Sequence, residues 1–214
     1  MNKWEYGEVY KKYNMEGEIK IGTGILKVHD IFDKLPNFMK DADCLFCDPP
    51  CSLININSFY TKAERTDYQT SFDPFKERFF DCVDKINPNN LFLEVFKSNK
   101  ESFLKKVKER YPYVQIYENT YYHNKKNKCW IIQGTRKEKD LIDLNGIDEE
   151  TAIEKVCKEV NYKCIGDLCM GRGLVGYNAF KNNKRFVGTE INKKRLAVLV
   201  DNITNYKGKE CQNE

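Results

Sequence analysis

Short apolar runs that end in polar turns alternate along this chain with stretches whose apolar residues recur every three or four positions. That pattern predicts an α/β fold, a mostly parallel sheet covered by helices. Runs rich in branched, aromatic or thiol side chains place strands at 24–28, 43–47, 90–96, 163–168 and 185–189. Phe75, Phe79, Phe80 and Val83 lie on one face of a predicted helix at 74–85, and Phe103, Leu104 and Val107 mark another at 101–110. Residues 148–160 and 192–205 predict two more, the first opened by Asp148, Glu149 and Glu150 at the positive end of the helix dipole. Strand-like runs at 113–119 and 128–135, separated by a polar turn at 122–127, predict an antiparallel hairpin at one edge of the sheet. The stretch 52–73 lacks a clear period and is expected to be an irregular lid or substrate loop.

The length of 214 residues leaves room for one well-packed domain, expected to span 1–214. No run approaches the ~18 apolar residues of a membrane span, and Met1-Asn2-Lys3-Trp4-Glu5 opens no apolar leader. A cytoplasmic location without membrane contact is expected. Nine cysteines in such a chain predict reduced, buried thiols rather than a disulfide framework. Cys44-x-x-Cys47-x-x-x-Cys51 has the spelling of a zinc site, but Cys44 and Cys47 fall in a buried strand, so no metal is expected. A net charge of +4 permits phosphate binding without requiring it. His29 and His123, the only histidines, are too few for a histidine metal site and read as incidental.

Near the end of the chain an apolar strand runs into Asp167-Leu168-Cys169-Met170-Gly171-Arg172-Gly173, a glycine turn that opens a helix. Glycines there let backbone approach a nucleotide-like ligand. A second strand follows and ends at Glu190, a carboxylate placed to hold ribose hydroxyls. Gly171, Gly173 and Gly176 also spell a dinucleotide fingerprint, so spacing alone leaves NAD open.

The strand at 43–47 runs directly into Asp48-Pro49-Pro50-Cys51. Two prolines stiffen the turn and remove two donors, which presents the Asp48 carboxylate and the Pro49 carbonyl as acceptors. Such a pair suits an amino group whose lone pair is delocalised into a ring. Accepting its hydrogens favours pyramidal nitrogen and aims the lone pair at an electrophile.

Together the Asp48 turn, the Asp167–Gly173 turn and Phe186-Val187-Gly188-Thr189-Glu190-Ile191-Asn192 resemble the β class of S-adenosylmethionine-dependent DNA amino-methyltransferases, in which the catalytic motif precedes the cofactor motif in a circularly permuted order. The resemblance extends from about Gly24 to Asn202. It implies a Rossmann-like methyltransferase fold with S-adenosylmethionine as cofactor and DNA as partner, RNA or protein amino groups being other possible acceptors. Adenine N6 is favoured over cytosine N4, because the adenine enzymes more often begin the catalytic motif with Asp. Asp48, Pro49, Pro50 and Cys51 would form the catalytic turn. Gly171 and Gly173, with Cys169 and Met170, would line the methionine moiety; Asp167 would orient that loop, Glu190 would hold the ribose, and Asp30 would lie near the cofactor's adenine or merely cap residues 31–35.

Three positions depart from the class: Cys51 stands for the usual aromatic, Cys169 for Phe, and Arg172 for a small residue. Stacking on a flipped base must then come from elsewhere, with Phe59 and Tyr60 as candidates. Lys125 and Lys126, beside Tyr121 and Tyr122, are placed to touch phosphate or to be solvated. Pro50-Cys51 also resembles the nucleophile turn of cytosine carbon-5 methyltransferases, with Glu94 as proton donor to the ring. A nucleic-acid-binding module that has lost catalysis is a further alternative. The chain has little room for a target-recognition domain, which points to the hairpin, residues 52–73, a homodimer or a separate specificity subunit.

Overall fold

The computed structural model describes residues 7–121 and 123–207. Met1 to Glu5 and Tyr122, on which sequence expectations were placed, lie outside them. An eight-stranded sheet runs through the described residues: β1 (Glu18–Ile21), β2 (Gly24–Val28), β3 (Cys44–Cys47), β4 (Asn90–Val95), β5 (Tyr113–Tyr121), β6 (Asn124–Thr135), β7 (Cys164–Asp167) and β8 (Arg185–Glu190), in the order β1-β2-β8-β7-β3-β4-β6-β5. The five central strands β2, β8, β7, β3 and β4 are parallel, and antiparallel pairs close both edges.

The helices are α1 (Leu53–Lys62), α2 (Asp73–Ile86), α3 (Lys100–Lys108), α4 (Glu149–Glu159), α5 (Leu174–Lys181) and α6 (Lys193–Thr204). Side chains alternate across a strand, so each central strand feeds two cores. Leu45, Cys47, Leu91 and Leu93 join the core under α1, α2 and α3, while Cys44, Phe46, Phe92 and Phe186 join the core under α4, α5 and α6. On α2 the buried Phe75, Phe79, Phe80 and Val83 confirm the expected face. Phe79 and Phe80 have no exposed surface, and each contributes on the order of 1.5–3 kcal/mol of burial.

Three differences from the sequence reading have physical causes. Residues 52–73 are not wholly irregular, because they contain α1. Ser52 caps it by accepting the Asn55 N–H, and Ile56 and Tyr60, one turn apart, are buried. Asn, Ile and Ser are weak helix formers, so capping and burial rather than propensity decide this segment. The hairpin is longer than expected: its exposed outer part pairs backbone over water, aided by the Lys128–Glu118 ion pair at 2.6 Å, and β6 begins at Asn124. Strand β1, a short edge strand with no fully buried residue, was not foreseen.

From β3 the chain leaves through α1 and α2 on one face, and from β7 through α5 on the other. Neighbouring β3 and β7 therefore mark the point where the winding reverses, and their carboxyl ends open a crevice.

Candidate active site

The crevice is a cavity of about 520 Å³. Asp30, Glu190, Asp167, Asp48 and Glu94 face it in that order, each at or just beyond the carboxyl end of one of the adjacent strands β2, β8, β7, β3 and β4. Of the residues singled out from sequence, the structure also brings Pro50, Phe59, Tyr60, Cys169, Met170 and Gly171 to the wall.

At the glycine turn, Asp167 Oδ1 accepts the Cys169 N–H at 2.9 Å and so shapes the loop. Burial raises the Asp167 carboxyl to about 8; the Cys169 N–H opposes the rise, and nearby Asp48 and Glu190 add to it. Gly171 has φ +57°, and its N–H donates to Glu190 Oε2 at 2.6 Å. The other Glu190 oxygen accepts the Asn192 N–H at 3.0 Å, so the carboxylate is fixed at the first turn of α6. Gly173 does not reach the wall. With φ +81° it caps α5, and a Cβ there would lie 2.5 Å from Leu199 Cδ2, which makes its role conformational and steric. At Gly188 an added Cβ would lie 2.1 Å from the Met170 methyl group and 2.5 Å from its sulfur, so the thioether would have to shift.

Asp30 accepts the Phe32 N–H at 3.0 Å and faces the cavity; residues 31–35 form a turn rather than the helix that Asp30 was expected to cap as its alternative role. Its second oxygen accepts the Tyr60 hydroxyl at 2.8 Å and lies 3.2 Å from Arg65 Nη1. Burial, then Asp30, raises the Tyr60 hydroxyl above its ordinary range. Tyr60 therefore ties α1 to the end of β2 rather than standing free to stack. Phe59 remains available to the cavity, with the Arg195 guanidinium 5.0 Å from its ring centre.

Asp48 is exposed and lines the cavity. Loss of bulk water around it raises its carboxyl to about 7, against the opposing charge of Arg195. Cys51 is absent from the wall; its thiol donates to Asn55 Oδ1 on α1 at 2.6 Å. Pro49 is buried behind the turn. Lys125 and Lys126 are exposed on the outer hairpin and do not line the cavity, although His123, just before them in the chain, does. His123 is held there by Asp148, whose carboxylate accepts its backbone N–H at 2.7 Å.

Sequence reasoning missed several wall residues. His29 is one, with a buried Nε2 that has no partner among the described residues and a pKa lowered chiefly by burial. Its position beside Asp30 at a strand end was the available signal. Arg195 is another, a cation in the first turn of α6, where the helix dipole disfavours it unless acidic groups lie opposite. Glu94, weighed only for ring protonation by the carbon-5 alternative, and Glu149 were visible as carboxylates at the ends of apolar elements. Cys44 and Cys47 join opposite cores, and among the described residues no His, Cys, Asp and Glu cluster has the geometry to hold a metal. No described helix is long and apolar enough to cross a membrane.

No protein-family model matches the sequence, and no curated relative does. Solved structures do resemble it. M1.HpyAVI superposes with a TM-score of 0.54 at 14% identity, covering 84% of this chain and 98% of that one. Its SAM complex gives 0.54 at 14% identity over 81% and 96%. PvuII DNA methyltransferase (cytosine-N4-specific) gives 0.53 at 10% identity over 87% and 89%. At such identities the likeness is one of fold: this chain shares the Rossmann-like α/β fold of these solved structures.

Proposed function

We propose that this protein transfers a methyl group from S-adenosylmethionine to the exocyclic amino group of a base in DNA, adenine N6 in preference to cytosine N4. One observation carries the reading: Asp48, Gly171 and Glu190, from three separate stretches of sequence, face a single cavity at the winding reversal. Its volume lies in the usual range for a small-molecule site of about 300–1,000 Å³.

The residues present fit the cofactor. Gly171 lets the backbone come close, and the Glu190 oxygens, each taken up by one N–H, retain lone pairs for ribose hydroxyls. Asp30 offers an acceptor at the neighbouring strand end, where Tyr60 and Arg65 now hold it. Bound S-adenosylmethionine supplies an electrophilic methyl group on a sulfonium. The chain supplies the acceptors: the Asp48 carboxylate and the Pro49 carbonyl take the two amino hydrogens, which directs the nitrogen lone pair away from the ring. A carboxyl near 7 also suits taking up the proton that the methylated nitrogen sheds. Phe59 is the proposed stacking surface, α1 the proposed lid, and Lys125 and Lys126 the proposed phosphate contacts outside the cavity mouth.

The test is mass spectrometry of nucleosides from DNA of cells expressing the wild type or Asp48→Ala. N6-methyladenine present with the wild type and absent with the variant is expected. N4-methylcytosine in its place would transfer the reading to the base named for the PvuII enzyme. No methylated base with the wild type would end it.

A further inference from the structure

The register of β3 and β4 pairs Cys47 with Leu93, so the next residues, Asp48 and Glu94, sit side by side at the carboxyl ends of neighbouring strands. Both follow, two residues on, a phenylalanine of the α4-side core: Phe46 and Phe92 stack at 5.9 Å with planes 12° apart, and Phe46 lines the cavity. Glu94 lines the cavity yet is only 2% exposed, and its Oε1 has no hydrogen-bond partner among the described residues. A buried polar atom without a partner costs free energy, and this one belongs to a carboxyl group on the cavity wall.

The groups around Glu94 decide its protonation. Asp48 from β3, Asp167 from β7 and Asp148 and Glu149 from α4 are carboxyl groups, and Cys129 from β6 is a buried thiol. Burial and this company raise the Glu94 carboxyl well above its ordinary range and favour its neutral form. A neutral carboxyl has one O–H donor beside one acceptor. Adenine and cytosine offer the complement next to their amino group, a ring nitrogen without hydrogen (N1 and N3). Thymine and guanine carry an N–H at that edge.

We infer that Glu94 is a base-selecting residue that donates its carboxyl hydrogen to the ring nitrogen adjacent to the amino group held by Asp48. The inference rests on the amino-methyltransferase reading and deepens it. Adenine and cytosine are admitted and thymine and guanine refused by one proton on one side chain, with no charge required.

The test uses the full chain and a duplex carrying the site mapped from methylated plasmid of expressing cells, with the target base or its analogue lacking the ring nitrogen (1-deazaadenine or 3-deazacytosine). The wild type is expected to lose about 10–100-fold in kcat/KM on the analogue, the effect of leaving one buried donor unmet. Glu94→Gln keeps a donor at the same place and is expected to retain activity and the same discrimination. Glu94→Leu is expected to treat base and analogue alike. Equal turnover of base and analogue by the wild type, or a Glu94→Gln variant as impaired as Glu94→Leu, overturns the inference while leaving the amino-methyltransferase reading intact. Absence of any methylated base with the wild type overturns both.

Discussion

Substituting alanine at the two glycines of the cofactor turn separates a conformational role from a binding role. Gly173 has φ +81°, and an added Cβ would lie 2.5 Å from Leu199 Cδ2 and 2.6 Å from Leu199 Cβ. The second of these atoms is attached directly to the α6 backbone and cannot swing aside. Left-handed backbone costs an L-residue about 1–2 kcal/mol, and overpacking a full core costs about 1–3 kcal/mol more. Gly173→Ala is therefore expected to lose about 2–5 kcal/mol, which at a slope of about 2 kcal/mol per molar lowers the urea midpoint by about 1–2.5 M. Gly171→Ala carries similar backbone strain at φ +57°, but its Cβ meets only the end of the Arg195 side chain, 2.9 Å away at Nη2, which can move. Its midpoint should fall by less than about 1 M. Its affinity for S-adenosylmethionine, measured by calorimetry, should fall at least about tenfold, because the methyl group enters the cavity and displaces the guanidinium. A Gly173→Ala protein whose midpoint stays within about 0.5 M of the wild type would refute the steric argument.

In the proposed reaction Asp48 accepts an amino hydrogen only as a carboxylate, and desolvation by the surrounding cavity walls holds its carboxyl near 7, so kcat/KM should rise as pH rises through about 7 and level off above it. Arg195→Gln removes the opposing charge and should move that inflection upward; a profile flat from about pH 5 to 9 would contradict the assignment. Asp167, pushed from 3.8 to about 8, binds its proton more tightly folded than unfolded. Its contribution to stability is therefore full below about 4 and is lost as pH rises toward 8. Asp167→Asn keeps an acceptor for the Cys169 N–H and cannot ionise, so the difference in melting temperature between variant and wild type should change across that window and be constant outside it. Cys51→Ser should retain most of its methylation activity, since the thiol donates to Asn55 off the cavity wall and a hydroxyl can do the same; complete loss would favour the nucleophilic alternative.

The periods written in the sequence are local properties, and they carried far. The apolar runs became the parallel strands β2, β3, β4, β7 and β8, and the spacing of Phe75, Phe79, Phe80 and Val83 became the buried face of α2. Asp48 and the Asp167–Gly173 turn were legible because prolines fix the backbone and glycines alone take up left-handed turns without strain, whatever surrounds them. Segments with weak local preference were not: α1 forms because Ile56 and Tyr60 find buried positions, and Tyr60 finds Asp30.

What the sequence alone determined about this protein, then, is which short segments are rigid and which carry acceptors. Only the tertiary structure decided which of them meet. Strand order is set by long-range pairing, and it puts β3 between β7 and β4, so that Asp48 faces the glycine turn on one side and Glu94 on the other. The same packing turned Cys51 toward Asn55, set Gly173 against Leu199 and brought His29 and Arg195 to the wall. A side chain's chemistry is fixed by its identity, but its partners and solvent are fixed by the fold. Glu94 and Asp167 hold their protons at higher pH for that reason: their burial, with Asp48 beside them, exists only once the sheet has closed around them.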